Sequence, residues 1–456
     1  MRRYKLKKKN KNYIEEMENY SFLILVFACF VIFTFTGIGI PLLIALSGIL
    51  LCMTGFIEGE VCVDPWMFFP MIGFTGVCAF SSLMTFGNLN EGYTGIFAIY
   101  PVVYMIMSYL DEAQSRQLRK LCILWGELIA VHGIVVTICD CFKSMVFRLG
   151  GIIGNPNALG IFLAVIWLAV LRERKEVQSD KNTGLDQYIH CLAPFILVAI
   201  ALTLSMGSFL ALAVGVLIFM VREKKIDFAL MAEMSIYAGT GLLIFIAGRK
   251  TEYEFLILLP AVYAVILAFN SKDFITFFKE HNKLSAGITA VGALGGLITV
   301  ILRPSAAATF AERVEMMKNG LGYFMENTIT GVGSYQWRIL NFHDSDKYFN
   351  TWHIHNIPIH VAAELGIIAL IFLVVIFIRA VAKKENRNAR PAIGAFILHN
   401  LMDTSFFYLG DTSALLFTNR CITGKEIKLG NITARAVYGV FFIYFVYCLL
   451  CTIGLI

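Results

Sequence analysis

Charge is what this chain has least of. Asp, Glu, Lys and Arg make up 15% of its 456 residues, against 58% hydrophobic ones. Soluble domains carry about 25% charged residues, so a mean hydropathy of +0.72 excludes an ordinary soluble fold. The apolar runs do not alternate with polar residues, which excludes a transmembrane β-barrel. The 11 cysteines form no repeated CxxC framework. Cys29, Cys52, Cys78, Cys191 and Cys448 lie inside apolar runs, where thiols act as small hydrophobes. Cys139 and Cys141 flank Asp140, but two cysteines are a poor metal set and no HExxH is present. No convincing internal repeat is found. No small-residue cleavage site follows the first apolar run, so RRYKLKKKNK is expected to be an uncleaved start on the cytoplasmic side.

What the chain does have is a succession of continuous apolar runs long enough to cross a bilayer. The expected fold is all-α, a polytopic transmembrane helical bundle of about 12–14 spans. The formal charge of +6 sits in short basic loops, which reads as membrane topology rather than nucleic-acid binding. The run from Phe22 to Ile57 is too long for one span and is expected to fold at Gly37–Pro41. Later spans are expected near 255–269, 357–379 and 391–408, among others. This arrangement puts the basic segments at Arg116, Arg172, Arg222 and Arg379 all in the cytoplasm. Arg249-Lys250 and the Arg420–Arg435 loop carry positive charge on the opposite side. The expected organisation is a basic N-terminus (1–20), spans (21–302), one large outward-facing loop (303–355) and C-terminal spans (356–456). Within the loop, AERVEMMKNGLGYFME reads as a helix lying at the membrane surface.

Against this hydrocarbon background, polar groups at a membrane boundary are costly and mark candidate sites. The densest is His353–Gly366, HIHNIPIHVAAELG. Pro358 suits the first turn of a helix, Asn356 can cap it, and Asn356, His360 and Glu364 recur every four residues on one face. His355 sits at the mouth. Histidines beside a helix N-terminus make a natural seat for phosphate, while a zinc site and a purely structural polar knot are the competing readings. Glu364, about two turns into the span, needs a partner such as His360 or an arginine. A second candidate is Arg148–Gly160, RLGGIIGNPNALG: Asn155-Pro156-Asn157 makes a turn that starts a helix, and Arg148 supplies positive charge. The polar reversal Thr203–Ser208 is a third. The fourth is His399, Asn400, Asp403 and Ser405, with Asp403 expected inside a span.

Together GNPNALG, the TLS-x-G reversal, Gly331-Val332-Gly333 and His355-Asn356…Glu364-Leu365-Gly366 resemble the O-antigen ligase and polysaccharide polymerase family of bacterial inner membranes. The resemblance covers about 148–403. It implies a GT-C-like membrane glycosyltransferase, metal-independent and without a cofactor, with its active site facing outward. Such an enzyme transfers glycan from a polyprenyl (undecaprenyl) diphosphate donor to a glycan acceptor. Other polysaccharide-assembly membrane proteins would be candidate partners, and nucleic acid would not. The resemblance points to His355 and Glu364 as catalytic, and to Arg148, Arg313 and Asn356 in the binding site. Asn155, Asn157, His360 and Asp403 join them on the residue reading, with Arg303 and Arg338 as further phosphate-binding candidates. One departure stands out: Ser205-Met206-Gly207 replaces the family's Ser-Arg-Gly, so either another residue takes that role, with Arg148, Arg303 and Arg338 available, or the donor differs or the protein is a diverged member. Of the two chemistries, polymerase is favoured over ligase because the outer loop carries no mark of a lipid or protein docking surface. A transporter or flippase of lipid-linked sugars and a non-catalytic assembly partner are the rival readings.

Overall fold

The protein is described here by a computed structural model covering residues 20–35, 40–143, 148–177, 184–250, 257–301, 306–344, 349, 351–419 and 427–456. Arg303 lies outside these residues, as do 1–19, 37–39 of the expected Gly37–Pro41 turn, and much of the Arg420–Arg435 loop. The expected all-α polytopic membrane fold is what the structure shows. Eight described helices are long and apolar enough to cross a membrane, or nine if one bent pair counts as a single span. Tyr20–Phe35, Thr94–Tyr109 and Cys191–Thr203 are shorter apolar helices.

In chain order the first helices are α1 (Tyr20–Phe35), α2 (Pro41–Glu58), α3 (Pro65–Phe86), α4 (Thr94–Tyr109), α5 (Glu112–Cys141), α6 (Pro156–Val177) and α7 (Gly184–Thr203). They are followed by α8 (Met206–Glu223), α9 (Phe228–Lys250), α10 (Leu258–Phe269), α11 (Ser271–Glu280), α12 (Asn282–Ile301) and α13 (Ala306–Glu326). The last are α14 (Gln336–Asp344), α15 (Ile357–Ala382), α16 (Arg390–Asn400), α17 (Leu409–Thr418) and α18 (Asn431–Thr452). A short antiparallel ribbon pairs β1 (Val61–Val63) with β2 (Ile427–Leu429), Val61 opposite Leu429.

Helix α6 is the axis of the bundle. Its sequence, IFLAVIWLAV, is apolar on every face, and all ten of these residues are buried, as an all-round hydrophobic helix requires. Helices α5, α7, α8, α16 and α17 pack around it. Helix α15 lies against α3 and α13, and α2 against α18.

Each basic segment finds acid or carbonyl partners at one end of the bundle. Arg116 pairs with Glu173 at 3.3 Å and Arg119 with Glu173 and Glu176. Arg174 pairs with Glu233 at 2.9 Å. Arg222 donates to the Asn388 carbonyl at 3.3 Å. Arg379 and Lys383 both hold Asp64, Arg379 at 2.9 Å. The four segments assigned to one side from charge bias therefore gather in one belt. The polar candidates lie at the other ends of α6, α8 and α15, with α6 alone spanning roughly 30 Å at 1.5 Å per residue.

Two expected spans are corrected. The one at 391–408 is broken: α16 ends at Asn400, a turn and a 3-10 segment (Ser405–Phe407) follow, and α17 starts at Leu409. Side chains take over the backbone partners that the break releases. The Asn400 amide oxygen accepts from the Phe406 N–H at 2.8 Å and Ser405 Oγ meets His399 Nδ1 at 2.5 Å. Asp403 thus stands in a break, not in a continuous span. The run at 255–269 continues through a 78° bend into α11.

Candidate functional site

Three helix ends build the site. Asn155 Oδ1 accepts from the backbone N–H groups of Asn157 (2.8 Å) and Ala158 (3.2 Å), starting α6 with Pro156 in its first turn. Asn356 Oδ1 accepts from the Ile359 N–H at 3.0 Å and caps α15, while its Nδ2 donates to the Leu401 carbonyl at 3.0 Å. Ser205 caps α8, and Ser208 Oγ meets His399 Nε2 at 3.2 Å. Helix N-termini carry partial positive charge, so two such ends beside arginines make an anion-favouring region.

Asp403, 4% exposed, is the hub. Its Oδ1 accepts from His355 Nδ1 at 3.3 Å and from the Thr404 N–H at 2.9 Å. Its Oδ2 accepts from Asn157 Nδ2 at 2.7 Å and Arg313 Nη2 at 3.3 Å. Arg313 also donates to the Met402 carbonyl at 2.6 Å. Arg148 donates from Nη2 to Asn157 Oδ1 at 2.7 Å and from Nε to the Thr203 carbonyl at 2.9 Å. Residues from α6, α13, the α15 entrance and the α16–α17 break thus converge on one carboxylate. Burial pushes the Asp403 carboxyl up, but the hydrogen bond and charge of His355, with His399 and Arg313 nearby, outweigh it. They hold the group below the usual carboxylate range.

Glu364 belongs to a different cluster. It is fully buried and accepts three donors: Tyr93 Oη–H at 2.6 Å, the Tyr335 N–H at 2.8 Å and the Trp337 N–H at 2.9 Å. Tyr93 Oη also meets His360 Nε2 at 3.0 Å, and His353 Nδ1 lies 3.2 Å from the same nitrogen. The expected pairing of His360 with Glu364 is an indirect one through Tyr93, with the two side chains 3.6 Å apart. His360 is fully buried here and its Nε2 meets Tyr93 and His353, so it faces the knot and not the anion-favouring region. Burial, with the charge of His355 adding to it, pushes the His353 imidazole down to about 3.

The glycine motif explains how Glu364 reaches these donors. Helix α15 is interrupted at Gly366, whose φ is +78°. The loop lays its backbone along this break: Val332 N–H donates to Ala363 O (2.9 Å), Gly333 N–H to Glu364 O (3.0 Å) and Ile367 N–H to Thr328 O (2.8 Å). A Cβ on Gly331 would fall 2.3 Å from the Glu364 carbonyl carbon, and one on Gly366 2.1 Å from the Ile329 oxygen. Only glycine permits this approach. A small separate core of Met316, Trp337, Phe349, Ile354 and Ala363 fastens α13 and α14 beneath it.

The structure therefore brings Arg148, Asn157, Arg313, His355 and Asp403 together, with Asn155 and Asn356 as caps at the edge. It separates from them Glu364 and His360, in the buried knot, and Arg338, whose guanidinium stacks 4.0 Å over Trp352. Tyr93, His353 and Tyr335 were not singled out from sequence. Tyr93 sits in the unremarkable string NEGYTG and had no spacing signal to reveal it. His353 stood in the HIHN motif, but nothing in that string shows that its two histidines serve different clusters.

Fold and site together define a polytopic helical membrane protein with a polar, arginine-bearing site at the helix ends. Residues 191–374 match a protein-family model described as O-Antigen ligase, and this match supports assigning the chain to the O-antigen ligase/polymerase family. Arg313, Arg338, His355, Asn356, His360 and Glu364 fall inside the match; Arg148, Asn155, Asn157 and Asp403 fall outside it. No curated protein matches the chain.

Proposed function

We propose that the protein is a membrane glycosyltransferase that transfers polyprenyl-diphosphate-linked oligosaccharide to a glycan acceptor, in the manner of a polysaccharide polymerase, on the outer face of the bacterial cytoplasmic membrane. The observation that carries the reading is the Asp403 carboxylate holding His355 through Nδ1. A carboxylate only accepts, so Nδ1 carries the proton and Nε2 keeps the lone pair. That is the tautomer a general base requires. In the reaction the acceptor hydroxyl oxygen attacks the anomeric carbon and the bond to diphosphate breaks. His355 Nε2 takes the hydroxyl proton, and the electron pair leaves with polyprenyl diphosphate. Arg313 faces the Asp403 carboxylate and Arg148 joins it through Asn157, so two guanidinium groups bring positive charge to stabilise the leaving group as its own charge grows.

This geometry bears on the departure at Met206. Arg148 donates to the carbonyl of Thr203, in the very turn that carries Ser205-Met206-Gly207. A cation reaches that turn from α6's side, which supports Arg148 as the replacement for the missing family arginine. Glu364 takes a positioning part: it fixes the loop of Tyr335 and Trp337 and, through Tyr93, the chain leading to His355. No metal enters the scheme. With the basic belt in the cytoplasm, the site faces outward.

The test is the purified protein in vesicles with a lipid-diphosphate oligosaccharide. Longer glycans and released polyprenyl diphosphate are expected, and His355→Ala should slow this by about 10²–10⁴-fold. Movement of the lipid across the vesicle without elongation would overturn the reading in favour of a flippase.

A further inference from the structure

A cavity of about 730 Å³ opens beside the site, lined by Glu91, Tyr335, Arg338, Phe342, His343 and Trp352 among others. None of the residues joined to Asp403 lines it. Its walls combine broad aromatic faces with charged groups of both signs. Trp352, 55% exposed, carries the Arg338 guanidinium 4.0 Å over its ring, and Tyr335 stands edge-on to it at 6.0 Å. A pyranose ring is amphipathic in the same way: its C–H face sheds water against an aromatic ring while its hydroxyls at the rim need donors and acceptors. Neither a lipid tail, which needs no charged rim, nor a bare phosphate, which needs no aromatic floor, fits this lining as well.

We infer that this cavity is the acceptor-glycan subsite, with Trp352 as the stacking platform and Arg338 and Glu91 as the hydroxyl-binding rim. The inference rests on the transfer reading above and adds where the acceptor lies. Trp352 and His355 belong to one short segment. Three residues of extended chain span at most about 10 Å, so a sugar stacked on Trp352 lies within a short reach of the proposed base. Arg148 meets Asn157 at the start of α6 and Arg313 on α13 meets Asp403, whereas the cavity is walled by α14 and the α3–α4 loop. In the single displacement proposed above, nucleophile and leaving group use opposite faces of the anomeric carbon. The arginines therefore take the diphosphate side, and the cavity is left for the incoming hydroxyl.

Glu364 ties the two regions together. The same carboxylate that anchors Tyr335 and Trp337 holds Tyr93, which touches His353 beside Trp352. The cavity floor and the base segment are thus set by one buried group.

The test uses the full-length protein in detergent or nanodiscs and a lipid-free oligosaccharide of one repeat unit released from the host's surface polysaccharide. Saturation-transfer NMR should show binding to the wild type, weakened at least tenfold in Trp352→Ala and largely restored in Trp352→Phe. In the transfer assay, Trp352→Ala should raise the acceptor KM at least tenfold while the donor KM stays within twofold. Arg338→Gln should move in the same direction as a second variant. Absent oligosaccharide binding, binding unchanged in both variants, or a rise in donor KM instead overturns the subsite. Binding that depends on Trp352 without any transfer by the wild type upholds the subsite and overturns the transfer reading.

Discussion

Glu364→Ala is the substitution with the most consequential expected outcome. The carboxylate is the common acceptor for Tyr93 Oη, Tyr335 N and Trp337 N at 2.6, 2.8 and 2.9 Å, in a site with no exposed surface. Truncation leaves three donors facing a cavity, each costing about 1–3 kcal/mol. The sum is roughly 3–9 kcal/mol before relaxation, against a total stability of about 5–15 kcal/mol for a folded protein. Relaxation is restricted because the same loop is laced onto α15 at Val332, Gly333 and Ile367. Glu364→Gln is milder. Its oxygen can keep the two donors on Oε2, but its amide then faces the Trp337 N–H, a loss of about 1–3 kcal/mol. Hydrogen–deuterium exchange in nanodiscs reads this directly. The amides of Tyr335 and Trp337 should lose protection strongly in the Ala variant and partly in the Gln variant, with the melting temperature falling in that order. Unchanged protection at these two amides in Glu364→Ala would refute the idea that this carboxylate anchors the loop.

Three further outcomes follow from other contacts. Asp403→Asn keeps the shape of the hub but leaves one acceptor oxygen where two serve His355 and Arg313; transfer should fall by about 10²-fold, and near-normal turnover in vesicles would contradict the orienting role. His353 has a folded-state pKa of about 3, below the ordinary 6.5. The unfolded chain therefore binds a proton that the folded one refuses, and stability is lost as pH falls from 6.5 towards 3. His353→Asn should accordingly show a smaller drop in melting temperature between pH 7.5 and pH 5 than the wild type, and equal drops would count against it. Gly366→Ala meets both a left-handed φ of +78° and the Ile329 oxygen at 2.1 Å, so it should destabilise by more than the roughly 1–3 kcal/mol of backbone strain alone. Gly322→Ala, with nothing within 4 Å of its Cβ, is the matched control and should be near neutral in the same melt.

Particular elements show what could be read from the chain. The basic segments at Arg116, Arg172, Arg222 and Arg379 were grouped by sign alone, and the ion pairs to Glu173, Glu233 and Asp64 place them in one belt. Asn155, Asn356 and Pro358 were legible because capping is a local property: the side chain serves a backbone N–H two or three positions on. The expected continuous span at 391–408 was not, because apolar composition cannot distinguish a straight helix from one broken at Asn400 and rescued by side-chain contacts.

Low charge, continuous apolar runs and helix-capping residues are short-range facts, and they determined by themselves that this is a polytopic helical membrane protein with polar groups at its helix ends. Which polar groups meet depended on packing across more than two hundred residues, as in the pairing of Asn157 with Asp403 (246 apart) and of Tyr93 with Glu364 (271 apart). Only the tertiary structure could separate His355, held by Asp403, from His353, two positions earlier and set against Tyr93 and His360. In a segment of bends, side chains two positions apart turn to different partners according to what the rest of the bundle presents, and no local pattern carries that information.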